Sequence, residues 1–152
     1  MLRISKLTDY GTVVLGELAG KRGFVSAAEV AQATGLGLPT VSKLLKTLAR
    51  AGLVASSRGA RGGYRLAREA KEIRASDVID AFEGPVSITE CSASDSHCGF
   101  EAVCHVGHAW QRIIVAFRRA LDDISLADLL RANSPTPRFS FAGTPISIER
   151  KS

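Results

Sequence analysis

Apolar positions recurring at helical spacing divide the first third of the chain into three short predicted helices. The first runs from Ser5 to Gly20. Ser26 followed three residues later by Glu29 forms a capping box and predicts a second helix over 27–34. A glycine-rich turn then leads to Pro39, a residue that the start of a helix tolerates, and a third helix is expected to run to about Ala51. Its inward positions are Val41, Leu44, Leu45 and Leu48.

The pattern then changes to two short strands. Residues 53–57 and 63–67 are predicted to pair as a β-hairpin across the Arg/Gly tip at 58–62. A fourth helix is expected over Ala75–Phe82, capped by Ser76 or its neighbour.

The long helix predicted over His105–Asp123 carries an apolar stripe at alternating steps of four and three residues. Its members are Val106, Trp110, Ile113, Phe117, Ala120 and Ile124. The stripe is longer than the small C-terminal half can bury by itself, so it predicts a homodimer formed through this helix. Ser125 to Asp128 looks like a further helix start.

Two short helices, a glycine turn and a basic hairpin together compose a winged helix-turn-helix, whose second helix enters the major groove of DNA. The predicted fold is therefore mainly α with a small β-hairpin wing and a long C-terminal dimerisation helix. We expect the winged helix-turn-helix over 1–84, a cysteine-bearing cluster loop over 85–104, the dimerisation region over 105–132 and a flexible tail over 133–152.

Positive charge is concentrated in the first half of the chain. Residues 1–70 hold eleven Lys/Arg against four Asp/Glu, a net +7, whereas residues 71–152 hold nine against eleven, a net −2. Such an asymmetry is typical of a surface that binds double-stranded DNA. The candidate contacts are Thr40, Ser42, Lys43, Lys46 and Arg50 on the third helix, Arg58 and Arg61 at the wing tip, and Tyr64, which either braces the wing or touches the DNA backbone.

Length and composition narrow the class of protein. A chain of 152 residues fits one domain with an appended element and disfavours a two-domain enzyme, while 45% hydrophobic residues exclude wholesale disorder. No apolar run approaches the roughly 18 residues needed to cross a bilayer, and no signal peptide is evident. We therefore expect a cytoplasmic protein.

The three cysteines, Cys91, Cys98 and Cys104, fall within 14 residues and include no closely spaced pair. Their odd number argues against a disulfide framework and for metal or redox chemistry. Structural zinc sites and redox dithiols use shorter spacings, whereas thiolates suit an iron-sulfur cluster, which needs a fourth ligand. The candidates for it are His97, His105, His108, Glu101 and Asp9. The cysteine spacing also allows a zinc site or a loop that binds no metal.

Four segments together resemble a known family. They are residues 2–11 (LRISKLTDYG), 38–45 (LPTVSKLL), 58–64 (RGARGGY) and the three-cysteine loop. In these segments, over about residues 1–130, the chain is similar to the bacterial winged-helix iron-sulfur regulators of the IscR and NsrR type, and most similar to the branch that regulates SUF iron-sulfur cluster assembly. The resemblance implies a homodimeric repressor whose promoter binding depends on a cluster of the 2Fe–2S or 4Fe–4S type, and which senses cluster status, nitric oxide or oxidants.

The same resemblance implies a ligand set. Cys91, Cys98 and Cys104 match the cluster cysteines, and Asp9 falls where NsrR-like members recruit an aspartate from the partner subunit. IscR-like members place a histidine three residues after the last cysteine, where this chain has Gly107 and the neighbouring His108. The resemblance therefore leaves two candidates for the fourth ligand, Asp9 and His108. It also leaves the cluster type undecided.

Two alternatives accompany this interpretation. One is a DNA-binding regulator whose cysteine loop holds structural zinc or undergoes thiol redox chemistry. The other is a cysteine-based thiol enzyme with His97 beside Cys98 and His105 beside Cys104 as bases. Adjacent side chains seldom contact each other, and an enzyme leaves the wing unexplained. We therefore expect no enzymatic activity.

Overall fold

A computed structural model of the chain describes residues 4–85, 107–131, 138–141 and 144–147. The elements in chain order are α1 (Lys6–Ala19), α2 (Ala27–Thr34), α3 (Leu38–Arg50), β1 (Val54–Ser57), β2 (Gly63–Leu66), α4 (Ala75–Glu83), α5 (Gly107–Asp122), α6 (Leu126–Arg131), β3 (Arg138–Phe141) and β4 (Thr144–Ser147). The predicted fold class, mainly helical with a small hairpin wing, is confirmed.

The helix starts follow from local hydrogen bonds that the sequence predicts. The Ser5 hydroxyl caps α1 by accepting from the Thr8 N–H at 3.3 Å. At α2 the Glu29 N–H donates to the Ser26 hydroxyl at 3.2 Å, and the Ser26 N–H donates to the Glu29 carboxylate at 2.8 Å. Hydrogen bonds from Ser26 lower the pKa of the Glu29 carboxyl. The capping box is therefore present as predicted.

One apolar core joins α1, α2, α3 and the hairpin, and it also takes in Leu126 of α6. The four inward residues predicted on α3 are each no more than 1% exposed. Leu7 and Val13 of α1 instead lie on its outer face, where they are partly open to solvent. An apolar side chain at helical spacing is thus buried only where another element covers that face.

The predicted hairpin forms, with Ser57 of β1 opposite Gly63 of β2 and the tip between them. A contact that the sequence analysis did not predict extends it. The Val25 N–H donates to the Tyr64 carbonyl at 2.9 Å, and the Tyr64 N–H donates to the Val25 carbonyl at 2.8 Å. The segment before α2 therefore pairs with the wing through its backbone.

Polar contacts fasten α5 to α4. The Arg118 guanidinium pairs with the Asp80 carboxylate, one of its two hydrogen bonds being 3.2 Å long, and the Ser76 hydroxyl donates to Asp122. The expectation that Ser76 or its neighbour caps α4 is wrong. The N-cap is Arg74, whose backbone N–H donates to the Asp77 carboxylate at 2.9 Å. Ser76 lies inside the first turn of the helix and is buried.

Residues 138–141 and 144–147 pair as an antiparallel hairpin within the segment expected to be a tail. This hairpin is not evident from the sequence, because its strands are only four residues long and Pro145 lies in one of them. Both strands of a two-stranded sheet are edge strands, and an edge strand tolerates proline.

Glu83, the last residue of α4, ties that helix to the start of α1. Its carboxylate accepts from the Ser5 N–H at 3.0 Å and from the Thr8 hydroxyl. These hydrogen bonds lower the pKa of the Glu83 carboxyl below its ordinary value of 4.5. The end of α4 and the N-cap of α1 thus share one carboxylate.

This contact predicts an acid-dependent stability. Because the folded-state pKa of Glu83 is depressed, its contribution is fully present above pH 4.5 and is lost as the pH falls through the lowered value. We expect Glu83→Gln to lower the free energy of unfolding near pH 7 and to flatten its fall below pH 4.5, measured by urea unfolding across a pH series. Glu17→Gln, which removes another carboxylate elsewhere, is the control. Parallel pH curves for wild type and Glu83→Gln would contradict the prediction.

Candidate nucleic-acid interface

The solvent face of α3 follows from the burial of its opposite face. Lys43, Lys46 and Arg50 are exposed, whereas Thr40 and Ser42 are half-buried at the flanks. The structure therefore brings the predicted cations of this helix to one side and leaves the two hydroxyls at its margins.

The N-terminus of α3 is open. Its N-cap is Gly37, which has no side chain to accept a hydrogen bond, and Pro39 lies in the first turn. The preceding Gly35 adopts a φ of 72°, and a side chain there would meet no atom within 4 Å. Small residues thus leave room for a large partner to approach the start of the helix, where the dipole favours an anion such as phosphate.

The wing tip presents Arg58 and Arg61 to solvent on a tightly folded backbone. Gly59 has a φ of 106° and Gly63 a φ of 140°, a region that other residues rarely adopt. A Cβ at Gly62 would collide with the backbone of Ser57. Gly59, Gly62 and Gly63 are therefore required by the turn itself, and they keep the tip narrow.

Tyr64 and Arg65 occupy opposite faces of β2. Tyr64 is half-buried, packs against the core and pairs through its backbone with Val25, so it braces the wing. The Arg65 guanidinium lies 4.9 Å from the centre of the Phe24 ring, a cation–π contact that the sequence analysis missed. No local spacing signals that contact, because the two residues lie about forty positions apart.

The predicted DNA-contacting cations form no salt bridge with any residue that the structure describes. Within the described ranges, the salt bridges are Lys21–Glu17, Arg68–Asp77, Lys71–Glu69, Arg118–Asp80 and Arg131–Asp128. None of the five predicted DNA-contacting cations on α3 and the wing tip takes part in them. Unpaired cations on an exposed helix face and at an adjoining hairpin tip suit the phosphates of a duplex.

The predicted cluster ligands are distributed differently. Cys91, Cys98 and Cys104 lie outside the described residues, as do His97, Glu101 and His105. Asp9 is exposed in the first turn of α1, and His108 belongs to the first turn of α5. In the part of the chain that the structure describes, no three metal-ligating side chains come together. Among the described helices, none is long and apolar enough to cross a membrane.

Comparison with known proteins agrees with this geometry. A family model named Rrf2 and described as an iron-dependent transcriptional regulator matches residues 4–132. The protein rrf2 of Nitratidesulfovibrio vulgaris (strain Hildenborough) is 34% identical over 139 residues, which are 90% of this chain and 93% of the relative.

Two solved structures are similar over most of their length. CymR (YrzC), the global cysteine regulator of B. subtilis, is 36% identical with a TM-score of 0.65 and matches 87% of this chain and 98% of its own. The IscR of T. potens is 32% identical with a TM-score of 0.62, over 88% of this chain and 89% of its own. Because the family model spans nearly all of the helical part, the expectation of a regulator and not an enzyme is confirmed, and the chain belongs to the Rrf2 family of DNA-binding transcription regulators.

Proposed function

We propose that this protein is a cytoplasmic, homodimeric repressor that binds a promoter through α3 and the wing and responds to the state of an iron-sulfur cluster, thereby controlling genes of iron-sulfur cluster assembly. The observation that carries the DNA-binding part is the set of five exposed cations on α3 and the wing tip, none of which forms a salt bridge with another described residue. The sensing part rests on the three-cysteine loop, on the resemblance to cluster-binding regulators and on the family's description as iron-dependent.

In this proposal α3 lies in the major groove and the wing follows the neighbouring backbone. Lys43, Lys46 and Arg50 are within one helix face, so a single docking brings all of them to the duplex. Arg58 and Arg61 extend the contact from the hairpin. Phosphate contacts of this kind supply affinity and position the helix, and they leave sequence reading to the groups that touch base edges.

The second copy is proposed to dock on α5. Trp110 is 41% exposed and Ile113 49%, although both are large apolar side chains on one face of the helix. The contacts of α5 with α4 include the polar pairs made by Arg118 and Asp122, which leave this apolar surface uncovered. Val106 of the predicted stripe lies outside the described residues. Of its other members, Trp110 and Ile113 are exposed, whereas Phe117, Ala120 and Ile124 are half-buried. A dimer also implies a palindromic operator, with half-sites about 34 Å or a multiple of it apart.

The donor set fits an iron-sulfur cluster by its chemistry. Cys91, Cys98 and Cys104 would supply three thiolates, and Asp9 of the partner subunit or His108 would supply the fourth ligand. When bound, a cluster of the 2Fe–2S or 4Fe–4S type supplies a group that oxidants, nitric oxide or iron shortage can alter. In this proposal, contacts within the protein transmit the change at the cluster to the DNA-binding helix.

Those contacts favour Asp9 over His108. Asp9 lies on α1, which packs directly against α3, and Glu83 joins the start of α1 to the end of α4. The cysteine loop begins just after α4. A change in the loop can therefore reach the DNA-reading helix through α1, whereas a ligand at His108 acts on α5.

A regulator with a zinc-holding or thiol-redox loop is the second candidate. It is favoured by the similarity to CymR, the global cysteine regulator of B. subtilis. In either case the DNA surface is the same, so the two candidates differ only in the cysteine loop.

The DNA surface is tested at the wing tip. Arg58→Ala and Arg61→Ala should each weaken binding to the operator and reduce the slope of log affinity against log salt by about one unit, since one phosphate contact is lost. Folding should be unaffected because both side chains are exposed. Arg131→Ala, which removes an exposed arginine from α6, should leave affinity and slope unchanged. Wild-type slopes in both wing variants would place the DNA surface elsewhere.

The dimer is tested on α5. Ile113→Glu should destabilise the dimer by about 2 kcal/mol or more, because it buries a charge in an apolar interface. Gln111→Glu adds the same charge to another side of the same helix and serves as the control. Sedimentation equilibrium at micromolar concentration measures both; a wild-type monomer, or equal dissociation constants for the two variants, would refute this interface.

The cluster is tested by anaerobic purification. A brown protein that contains iron and sulfide supports the proposal, whereas a colourless protein with bound zinc or free thiols supports the second candidate. In reconstituted protein, we expect Asp9→Ala to change the absorption spectrum, cluster stability and operator affinity, and His108→Ala to leave them close to wild type.

The reverse result would assign the fourth ligand to His108. A wild-type spectrum in Asp9→Ala together with cluster loss in His108→Ala removes the direct path from the cluster to α1. Circular dichroism of both apoproteins controls for folding, since Asp9 is exposed and its replacement should leave the core intact.

A further inference from the structure

Leu38 is an exposed leucine in the middle of the proposed DNA surface. It is the first residue of α3, and 47% of it is open to solvent, whereas the four leucine and valine side chains on the inner face of the helix are no more than 1% exposed. Its neighbours Gly37 and Pro39 add no polar side chain. The start of α3 is therefore an apolar end on an otherwise cationic helix face, and the core does not account for it.

Residues four apart on a helix form a ridge, and the ridge that begins at Leu38 changes its chemistry along its length. It continues through Ser42, Lys46 and Arg50, from apolar to hydroxyl to cationic. The hydroxyl of the nearby Thr47 donates to the Lys43 carbonyl at 3.1 Å, so its hydrogen is not available to a base. The N-terminal part of the face is thus suited to base edges, and the C-terminal part to phosphates.

This order matches how a recognition helix meets DNA. The N-terminal residues of such a helix contact base edges in the major groove, while cations reach the backbone. The edges of the four base pairs present donors and acceptors there, and the 5-methyl of thymine is their one apolar group. An exposed leucine at the N-terminal end of α3 is matched by that methyl and by no other group on the groove floor.

We infer that Leu38 is a specificity-determining residue that selects thymine in the operator by contact with its 5-methyl group. The inference rests on the proposed docking of α3 in the major groove. Its open glycine turn lets the duplex approach, and Pro39 lacks an N–H that would otherwise need a polar partner beside the methyl. The fold alone leaves apolar surface of Leu38 exposed to water. Contact with the methyl group would bury that surface, which is favourable.

The experiment replaces thymine by deoxyuridine, which keeps base pairing and every hydrogen-bonding group and removes only the methyl. The full-length protein first selects its operator from a random duplex library. Each thymine of one half-site is then exchanged singly, and dissociation constants are measured for wild type and Leu38→Ala. We expect one thymine in that half-site at which wild type binds the uracil duplex about fourfold more weakly, the effect of one buried methyl group.

In Leu38→Ala the same exchange should have no effect, and the affinity for the thymine operator should fall by a similar factor or more. Leu130→Ala, which truncates an exposed leucine on α6, should keep the wild-type preference for thymine. This comparison separates a reading contact from a general loss of apolar surface.

The outcomes separate this inference from the proposed function. An operator without any methyl-sensitive thymine, or a preference for thymine that persists in Leu38→Ala, would overturn the role of Leu38 while DNA binding by α3 stands. Failure of the wild-type protein to select any duplex would instead contradict the proposed function. Wild-type sedimentation of Leu38→Ala confirms that its loss of discrimination does not arise from a broken dimer.

Discussion

The burial of one face of α3 is the constraint on which the rest of the molecule depends. Four apolar side chains of this helix enter the core that it shares with α1, α2 and the hairpin. Once they are buried, the rotation of the helix is fixed, and its cations must point to solvent. Removing a large core side chain costs about 2–5 kcal/mol, so this orientation is stabilised far more strongly than any single surface contact. The exposed cationic face of α3 is thus a consequence of core packing.

Polar contacts take over where the apolar core ends. Arg118 with Asp80 and Ser76 with Asp122 hold α5 to α4, and Glu83 holds α4 to α1. Hydrogen-bonded pairs of this kind specify geometry and can be exchanged, whereas an apolar core resists rearrangement. The connections of α5 to α4 and of α4 to α1 therefore consist of contacts that can break and reform, whereas the helices and hairpin of the DNA-binding unit share an apolar core.

Local patterns were enough to predict most of the fold. The capping box at Ser26, the glycine turn before α3 and the Arg/Gly hairpin each rest on interactions within a few residues, and the structure contains all three. What the sequence did not reveal depends on distant partners. Val25 pairs with Tyr64, Ser76 with Asp122 and Glu83 with Ser5. These partners are far apart in the sequence, so the spacing of apolar residues along a helix or strand does not predict them. The candidate DNA residues of α3 and the wing were predictable because helix rotation follows from its apolar face, whereas the exposure of Leu38 became evident only when its neighbours were in place.

The backbone pairing of Val25 with Tyr64 has a consequence for how such a regulator diversifies. The two hydrogen bonds that set the pose of the wing are made by main-chain atoms, which every sequence provides. Arg58 and Arg61 at the tip can therefore be exchanged during evolution while the glycines and the wing keep their positions. In the proposed docking, the strength of the wing's phosphate contacts can then change without altering the residues of α3 that face the bases.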